Sequence, residues 1–337
     1  MKETIKRLIP ESLIARLRGL EADMKLRHET IHQMKRFRRS YARRGSMRRE
    51  HLETRIIFFT HQIEKGLSHT DFRYGFGKGV LAQMAPLMAS LRKTDTDIAH
   101  NDVYQTAISA LHEYRTRHEE AHVDLAYMRE LFDAAIWNDI ATTENTTGGA
   151  MTIRAADKRH NGSLTFTRLM EERHSVREFA DEPVSAAEIT KAVDAAMRTP
   201  SVCNRQPTRV HIITNPQLIR HAMPLQGGFR GYPMPPALVL ITADNQAFMN
   251  QDERNEGYTD GGLFGMSLLL ALEEQGLAAC PLNTMLPMKR DEATRALLGI
   301  PDSEFLVMYI AVGHFRDEVK TCKSQRFPAD GIVTVHA

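Results

Sequence analysis

The stretch EERHSVREF, residues 171–179, marks the point where the chain changes character. Between Arg173 and Arg177 it sets two arginines, a histidine and a serine side by side. The pattern reads as the start of a helix that leads to a buried Phe179. A helix N-terminus exposes unpaired N–H groups and partial positive charge, so this reading makes the stretch an anion site. Taken alone, it reads equally as a solvated basic turn.

Upstream of it the pattern is helical. Segments 11–40, 48–67, 79–93, 98–120 and 122–139 carry a helical period, and no strand pattern of any length precedes residue 160. In the first segment Leu13, Ile14, Leu17 and Leu20 share a face, and Pro10 suits a helix start. Residues 141–165, rich in Thr, Gly and Asn, read as a linker or long loop. Downstream the texture alternates. Residues 184–199 form an amphipathic helix with Ser185 and Glu188 as a capping box. Residues 209–215, 237–243 and 305–313 read as strands buried on both faces. A long helix spans 261–276, ending at Gly276 and turning through Cys280 to Asn283. GIVTVHA, 331–337, reads as a last short strand. There is no internal repeat. The expectation is an α+β protein, with an all-helical region 1–160 (its segment 1–50 basic) followed by a domain 166–337 built on a small sheet flanked by helices.

Composition fits two ordinary globular domains: 337 residues, 42% hydrophobic and 26% charged. Net charge is only +2, yet residues 1–50 carry +9 and the remainder −7. Such asymmetry points to something acidic, a membrane surface, another protein or, less favoured, a nucleic acid, or to a solvated basic helix. Three widely spaced cysteines exclude a disulfide framework and any zinc-site spacing, and fit a reducing compartment. The N-terminus lacks a secretory apolar region. The longest apolar stretch, 263–272, is about half of a membrane span. The expected location is cytoplasmic, possible membrane-surface contact through 1–50 aside.

Three short motifs can carry chemistry. HEEAH, 118–122, matches the zincin pattern, with His118 and His122 on one helical face and Glu119 as base. Its charged neighbours favour a solvated helix, and no metal is expected. GFGKG, 75–79, lacks the spacing of a phosphate loop and reads as a turn. HQIEKGL, 61–67, puts His61 and Glu64 on one face with Gly66 as a C-cap; it reads as a site or, more simply, as a helix end with a polar pair.

Four further segments follow in order: RHSVR (173–177), PSVCNRQP (200–207), a DGG helix ending in GLAACPLN (260–283), and KSQRFP (323–328). Together they resemble the FMN-dependent nitroreductase family over about residues 166–337. The resemblance implies an intertwined homodimer with a mixed sheet and a swapped C-terminal strand, 331–337. It implies that Arg173, His174 and Ser175 hold the FMN phosphate and ribityl chain, and that Arg177 sits at the pyrimidine edge of the flavin. Ser201, Asn204 and Gln206 would reach the partner subunit's flavin. Pro281, Leu282 and Asn283 would line one face of the ring. Arg326, with Lys323 or Ser324, would complete the phosphate clamp, and Arg230 offers a further contact from segment 226–236. Asn283 departs from the family's frequent Glu. The implied chemistry is ping-pong hydride transfer from NAD(P)H through flavin N5 to a small organic acceptor, with no protein acid assigned. The helical half is similar to extensions of nitroreductase-like proteins encoded near bacterial polysaccharide genes. The competing reading is a flavoprotein recruited to a membrane or partner, with little turnover.

Overall fold

The computed structural model describes residues 10–336. Its first half is helical: α1 (Glu11–Ser40), α2 (Arg49–Leu67), α3 (Lys78–Thr94), α4 (Asp102–Glu120) and α5 (Ala134–Thr142). On α2 the apolar residues Leu52, Ile56, Ile63 and Leu67 recur at helical spacing and are fully buried. They meet Leu81, Met84, Met88 and Leu91 of α3 and Ile108, Leu111 and Tyr114 of α4 in one core. Each such side chain contributes about 1.5–3 kcal/mol on burial. The polar cap Asn101 fixes the start of α4 by accepting from the Tyr104 N–H. Helix α1 buries no residue, so the face shared by Leu13, Leu17 and Leu20 lies open, each 45% exposed or more. The segment 122–139 is a single turn at Ala126–Arg129 and then α5 rather than one helix.

The linker 141–165 contains a strand, β1 (Ala150–Arg154), which corrects the expectation of none before 160. Chain order continues with α6 (Phe166–Glu172), α7 (Ala186–Ala196), β2 (Thr208–Ile213), α8 (Pro216–Gln226), β3 (Ala237–Asp244), α9 (Glu256–Glu274), β4 (Leu277–Asn283), α10 (Met288–Leu298), β5 (Glu304–His314) and β6 (Glu318–Cys322). The main sheet runs β2-β3-β5-β4, every pair antiparallel, and β1 pairs with β6 in a separate ribbon. The parallel part of the expected mixed sheet is reduced to one bridge, Ser175 to Ala279.

Alternation along the strands builds three layers. Leu238, Leu240, Cys280 and Tyr309 share a core with Ile219, Ala222 and Met223 of α8. Val239, Ile241, Ala279 and Ile310 share the other core with Ile189 of α7 and Phe264 and Leu268 of α9. The capping box at Ser185 and Glu188 is present. Strand β2 lies at a sheet edge and is only partly buried, so of the three strands expected to be buried on both faces β3 and β5 are and β2 is not.

Four further expectations change. EERHSVREF does not start a helix: α6 ends at Glu172, and the chain then runs extended along β4, the Val176 N–H donating to the Ala279 carbonyl at 3.0 Å. GLAACPLN is not a helix end with a turn but strand β4. Residues 332–336 form no strand within this chain, and Ile332, Val333 and Val335 are exposed; Ala337 lies outside the described residues. Gly66 does not cap α2, which continues to Leu67. It is glycine because a Cβ there would lie 1.8 Å from the Phe76 ring.

The two halves are joined by polar contacts as well as by the β1–β6 ribbon. Buried Glu178 accepts from the Thr70 N–H at 3.0 Å and from Arg316 at 3.1 Å, with His69 at 3.4 Å. The Tyr232 hydroxyl donates to the Lys65 carbonyl at 2.9 Å, and Lys65 Nζ donates to the Gly228 carbonyl at 2.9 Å.

Candidate functional site

The extended segment 173–179 is the frame of the site. Thr321 Oγ1 on β6 donates to the Ser175 carbonyl at 2.7 Å, so both edges of the segment are held. Gly313 lets it lie close, because a Cβ there would meet the Phe179 ring at 2.5 Å. Val176 points into the core, and its neighbours Ser175 and Arg177 stay partly exposed.

The Arg177 guanidinium meets three elements. Nη1 lies 3.3 Å from the Ser175 carbonyl and 3.5 Å from Cys322 Sγ, and Nη2 lies 3.4 Å from His61 Nε2. It also lies 6.0 Å from the centre of the Tyr232 ring, with Lys65 Nζ at 5.8 Å from that ring. Burial, then Arg177, pushes the Lys65 ammonium down from its ordinary range. His61 is backed by Glu64, whose carboxylate lies 3.5 Å from Nδ1 and also accepts from the Gly149 N–H at 3.2 Å. Hydrogen bonding to Cys322 and to Glu64 lifts the His61 imidazole to about 9, against burial and Arg177.

Arg173 is the second anchor. Its Nε is buried without a partner, and burial followed by the nearby Arg326 guanidinium pushes its pKa down. Two cations that press on each other, one with an orphaned donor, suit an anion between them. His174 Nδ1 is 2.8 Å from the Glu172 carbonyl, and burial favours its neutral form. Lys323 turns away, donating to the Thr146 carbonyl at 2.7 Å. Ser324 takes a left-handed φ of 48°, and its N–H faces Glu64 at 3.4 Å.

The other residues named from the sequence fall in three places. Pro281, Leu282 and Asn283 end β4 on the sheet edge, where a proline costs no ladder bond. The Asn283 side chain is exposed and accepts from the Met285 N–H at 2.6 Å. Ser201, Asn204 and Gln206 lie on a different loop, where Ser201 and Gln206 line a cavity of about 220 Å³ together with Asp260 and Phe264. That loop is strained: Cys203, Asn204 and Gln206 have φ of 46°, 55° and 50°. Asp260 holds it by accepting from the Val202 N–H at 3.2 Å. Among the described residues no hydrogen bond joins this loop to segment 173–177. Arg230 is exposed, and its neighbour Tyr232 is the residue of that segment that reaches Arg177.

Sequence reasoning therefore missed His61 and Lys65 as neighbours of Arg177, and missed Tyr232 and Cys322 altogether. HQIEKGL was the available signal, since its polar pair sat on one helical face. His61, Glu64 and Cys322 also place one possible ligand atom each within 4.8 Å of one another. Arg177 contacts two of the three, so a metal cation there would face a guanidinium. GFGKG is the turn expected, with Gly75 and Gly77 at positive φ before α3. HEEAH corrects differently: His118 is fully buried rather than solvated, taking the Gly75 N–H at Nε2 (2.8 Å) and facing the Tyr114 carbonyl at Nδ1 (2.6 Å). Both its nitrogens are used within the core, and exposed His122 has left the helix.

With this geometry in place, the comparisons bear on its class. The model described as Nitroreductase family matches residues 170–226 and 229–314, which contain segment 173–179, the strained loop and β4. An NADH dehydrogenase of Thermus thermophilus is 24% identical over 193 residues, covering 48% of this chain and 91% of its own. An FMN reductase (NAD(P)H) of Bacillus subtilis is 22% identical over 173 residues, covering 47% of this chain and 68% of its own. Among solved structures, a nitroreductase with bound FMN from Desulfitobacterium hafniense covers 51% of this chain and 97% of its own at 19% identity, with a TM-score of 0.40. The C-terminal half thus matches a family of oxidoreductases, and the family match does not extend to the helical half.

Proposed function

We propose that this chain is an FMN-dependent oxidoreductase that draws electrons from NAD(P)H and passes them to a small organic acceptor, a nitro compound, quinone or biosynthetic intermediate. The observation that carries the reading is the set of cations about the β4 edge. Lys65, Arg173 and Arg177 all bear on buried Cys280, and Arg326 bears on Arg173. Arg173 Nε adds to this set a buried N–H donor that no protein group accepts from. Arg173 and Arg326 would hold the FMN phosphate, with Ser175 and His174 beside the ribityl chain. Arg177 would stand at the pyrimidine edge, where a fixed positive charge favours the reduced ring. Pro281 to Asn283 would set the ring's orientation along β4. FMN held there would supply two-electron hydride chemistry between a nicotinamide and the acceptor, in ping-pong order.

A homodimer completes this reading. The loop bearing Ser201, Asn204 and Gln206 stands apart from segment 173–177, and a second copy would bring it to the site. The exposed apolar residues Ile332, Val333 and Val335 support the same assembly. A second reading, recruitment of the protein to an anionic membrane, is favoured by α1, where exposed Leu13, Leu17, Met24 and Phe37 alternate with basic residues. Sedimentation of the full chain with anionic vesicles tests it, and the absence of salt-sensitive binding rejects it. No helix among the described residues is long and apolar enough to cross a membrane.

The test of the main reading is to purify the protein, record its visible spectrum and identify what heat releases. A flavin spectrum with FMN released is expected. A colourless protein that leaves added FMN unbound would remove the reading.

A further inference from the structure

We propose that the apolar stripe of α1 binds the same stripe on a second copy of this chain, the two helices packed antiparallel. The proposal does not depend on the flavin reading, and α1 lies outside the matched family region, 170–314.

The argument starts from how α1 lies on its own body. An amphipathic surface helix ordinarily turns its apolar face inward. Helix α1 does the reverse. It meets the body at the turn Gln251–Glu253, and just beyond it Gln33 Oε1 accepts from Asn255 at 3.0 Å and from Arg254 at 3.2 Å. Ala22 and Glu29 are half-buried and, at about 100° per residue, share the Gln33 side of the helix. Leu13, Leu17, Leu20, Met24, Ile31 and Met34 fall on the opposite side, each 45% exposed or more. Among the described residues, this chain leaves that side open.

Spacing points to the occupant. The steps between those six residues are 4, 3, 4, 7 and 3, a period of about 3.5 that places them at the a and d positions of a coiled-coil seam. Arg27 and Arg38 take the other two seam positions. A bilayer does not select that period, and charge argues against a bilayer as well. An anionic surface draws on basic residues beside the apolar face. Residues 11–24, which hold four of the six apolar positions, carry Arg16 and Arg18 against Glu11, Glu21 and Asp23, a net −1. The positive charge lies further on: residues 25–40 carry Lys25, Arg27, Lys35, Arg36, Arg38 and Arg39 against Glu29, a net +5.

Charge also sets the direction. Parallel helices would put +5 against +5 and Arg27 against the partner's Arg27. Antiparallel helices put each −1 half against the other's +5 half. In that register Leu17 packs on the partner's Met34, Leu20 on the partner's Ile31, and each seam arginine faces an apolar residue.

The experiment uses the full chain. Sedimentation velocity over a range of concentrations compares the parent with L17Q/L20Q/M24Q, which alters no buried residue. The variant should keep the parent's circular dichroism and thermal unfolding, and its self-association should weaken at least tenfold. Equal association would overturn the proposal. Direction is read by mild oxidation of L17C and M34C chains, with linked peptides identified by mass spectrometry. A disulfide needs Cα atoms about 5.5–6 Å apart, whereas the two copies of either position stand about 25 Å apart in the antiparallel seam. Mixed L17C and M34C chains should therefore join through those positions, and neither should join to itself there. Self-linking of L17C at that position would overturn the antiparallel arrangement. No linkage in the mixture would overturn the second copy as occupant, and this arm decides the matter if the triple variant does not fold. Parent and variant are also sedimented with phosphatidylcholine–phosphatidylserine vesicles. Vesicle binding lost in the variant while self-association stays unchanged would assign the stripe to a membrane and overturn the proposal.

Discussion

Arg173 and Arg177 lie four positions apart and have different tasks in the proposed site. Arg173 is half-buried with an orphaned Nε, so its loss should fall on cofactor affinity. A charge-assisted hydrogen bond contributes about 1.5–3 kcal/mol, so Arg173→Ala should raise the FMN dissociation constant by about 10- to 100-fold in a titration. An unchanged constant would remove Arg173 from the clamp. Arg177→Ala should slow flavin reduction in stopped-flow mixing at least tenfold while shifting thermal unfolding little. The reverse pattern would make it a structural residue. His118 gives a pH prediction of its own. Burial holds its folded pKa below the ordinary imidazole value, so the unfolded chain takes up the proton first. Its stabilising contribution is complete above about pH 6.5 and is lost as pH falls below that value, which urea melts at pH 7 and pH 5 would show. At this scale the cluster RHSVR stood out only beside the three later segments, because alone it reads equally as a solvated basic turn. Its neighbour His61 did not, because 116 residues separate it from Arg177 and sequence spacing carries no information over that distance.

The strands divide by how much apolar surface each presents. β3 and β5 were readable because nearly every residue of both is buried and many are β-branched or aromatic. β4 reads LAACPLN, with small residues and a proline, and it forms because it sits on an edge that tolerates both. β1 and β6 are five residues each, pair only with one another, and present alternating polar positions, so neither gave a signal. Helix α2 was read to within a residue, yet the purpose of Gly66 was misjudged. A capping glycine and a packing glycine look the same in sequence, and here the Phe76 ring occupies the space of the missing Cβ. Gly66→Ala should therefore destabilise by about 1–3 kcal/mol through overpacking, measurable by urea unfolding. A neutral result would mean that Phe76 moves aside freely.

The helical half and the sheet half form one molecule, fastened by the β1–β6 ribbon, by Tyr232 against Lys65, and by Glu178. Burial alone would raise the Glu178 carboxyl, but hydrogen bonds from His69 and Thr70 override it and hold its pKa at about 2. The stability this adds is complete above about pH 4.5, the ordinary value, and is lost as pH falls toward 2. Glu178→Gln should cost about 1–3 kcal/mol at pH 7 and flatten that acid dependence. That helices precede the main sheet was legible from the change in pattern near residue 160, but the contacts between them were not, since they consist of single polar residues distant in sequence. The central claim is that this joined surface holds an FMN that NAD(P)H can reduce. Anaerobic mixing of the FMN-loaded chain with NADH and with NADPH tests it most directly. Bleaching of the flavin absorbance by at least one of them is predicted; a spectrum unchanged by both would contradict the account.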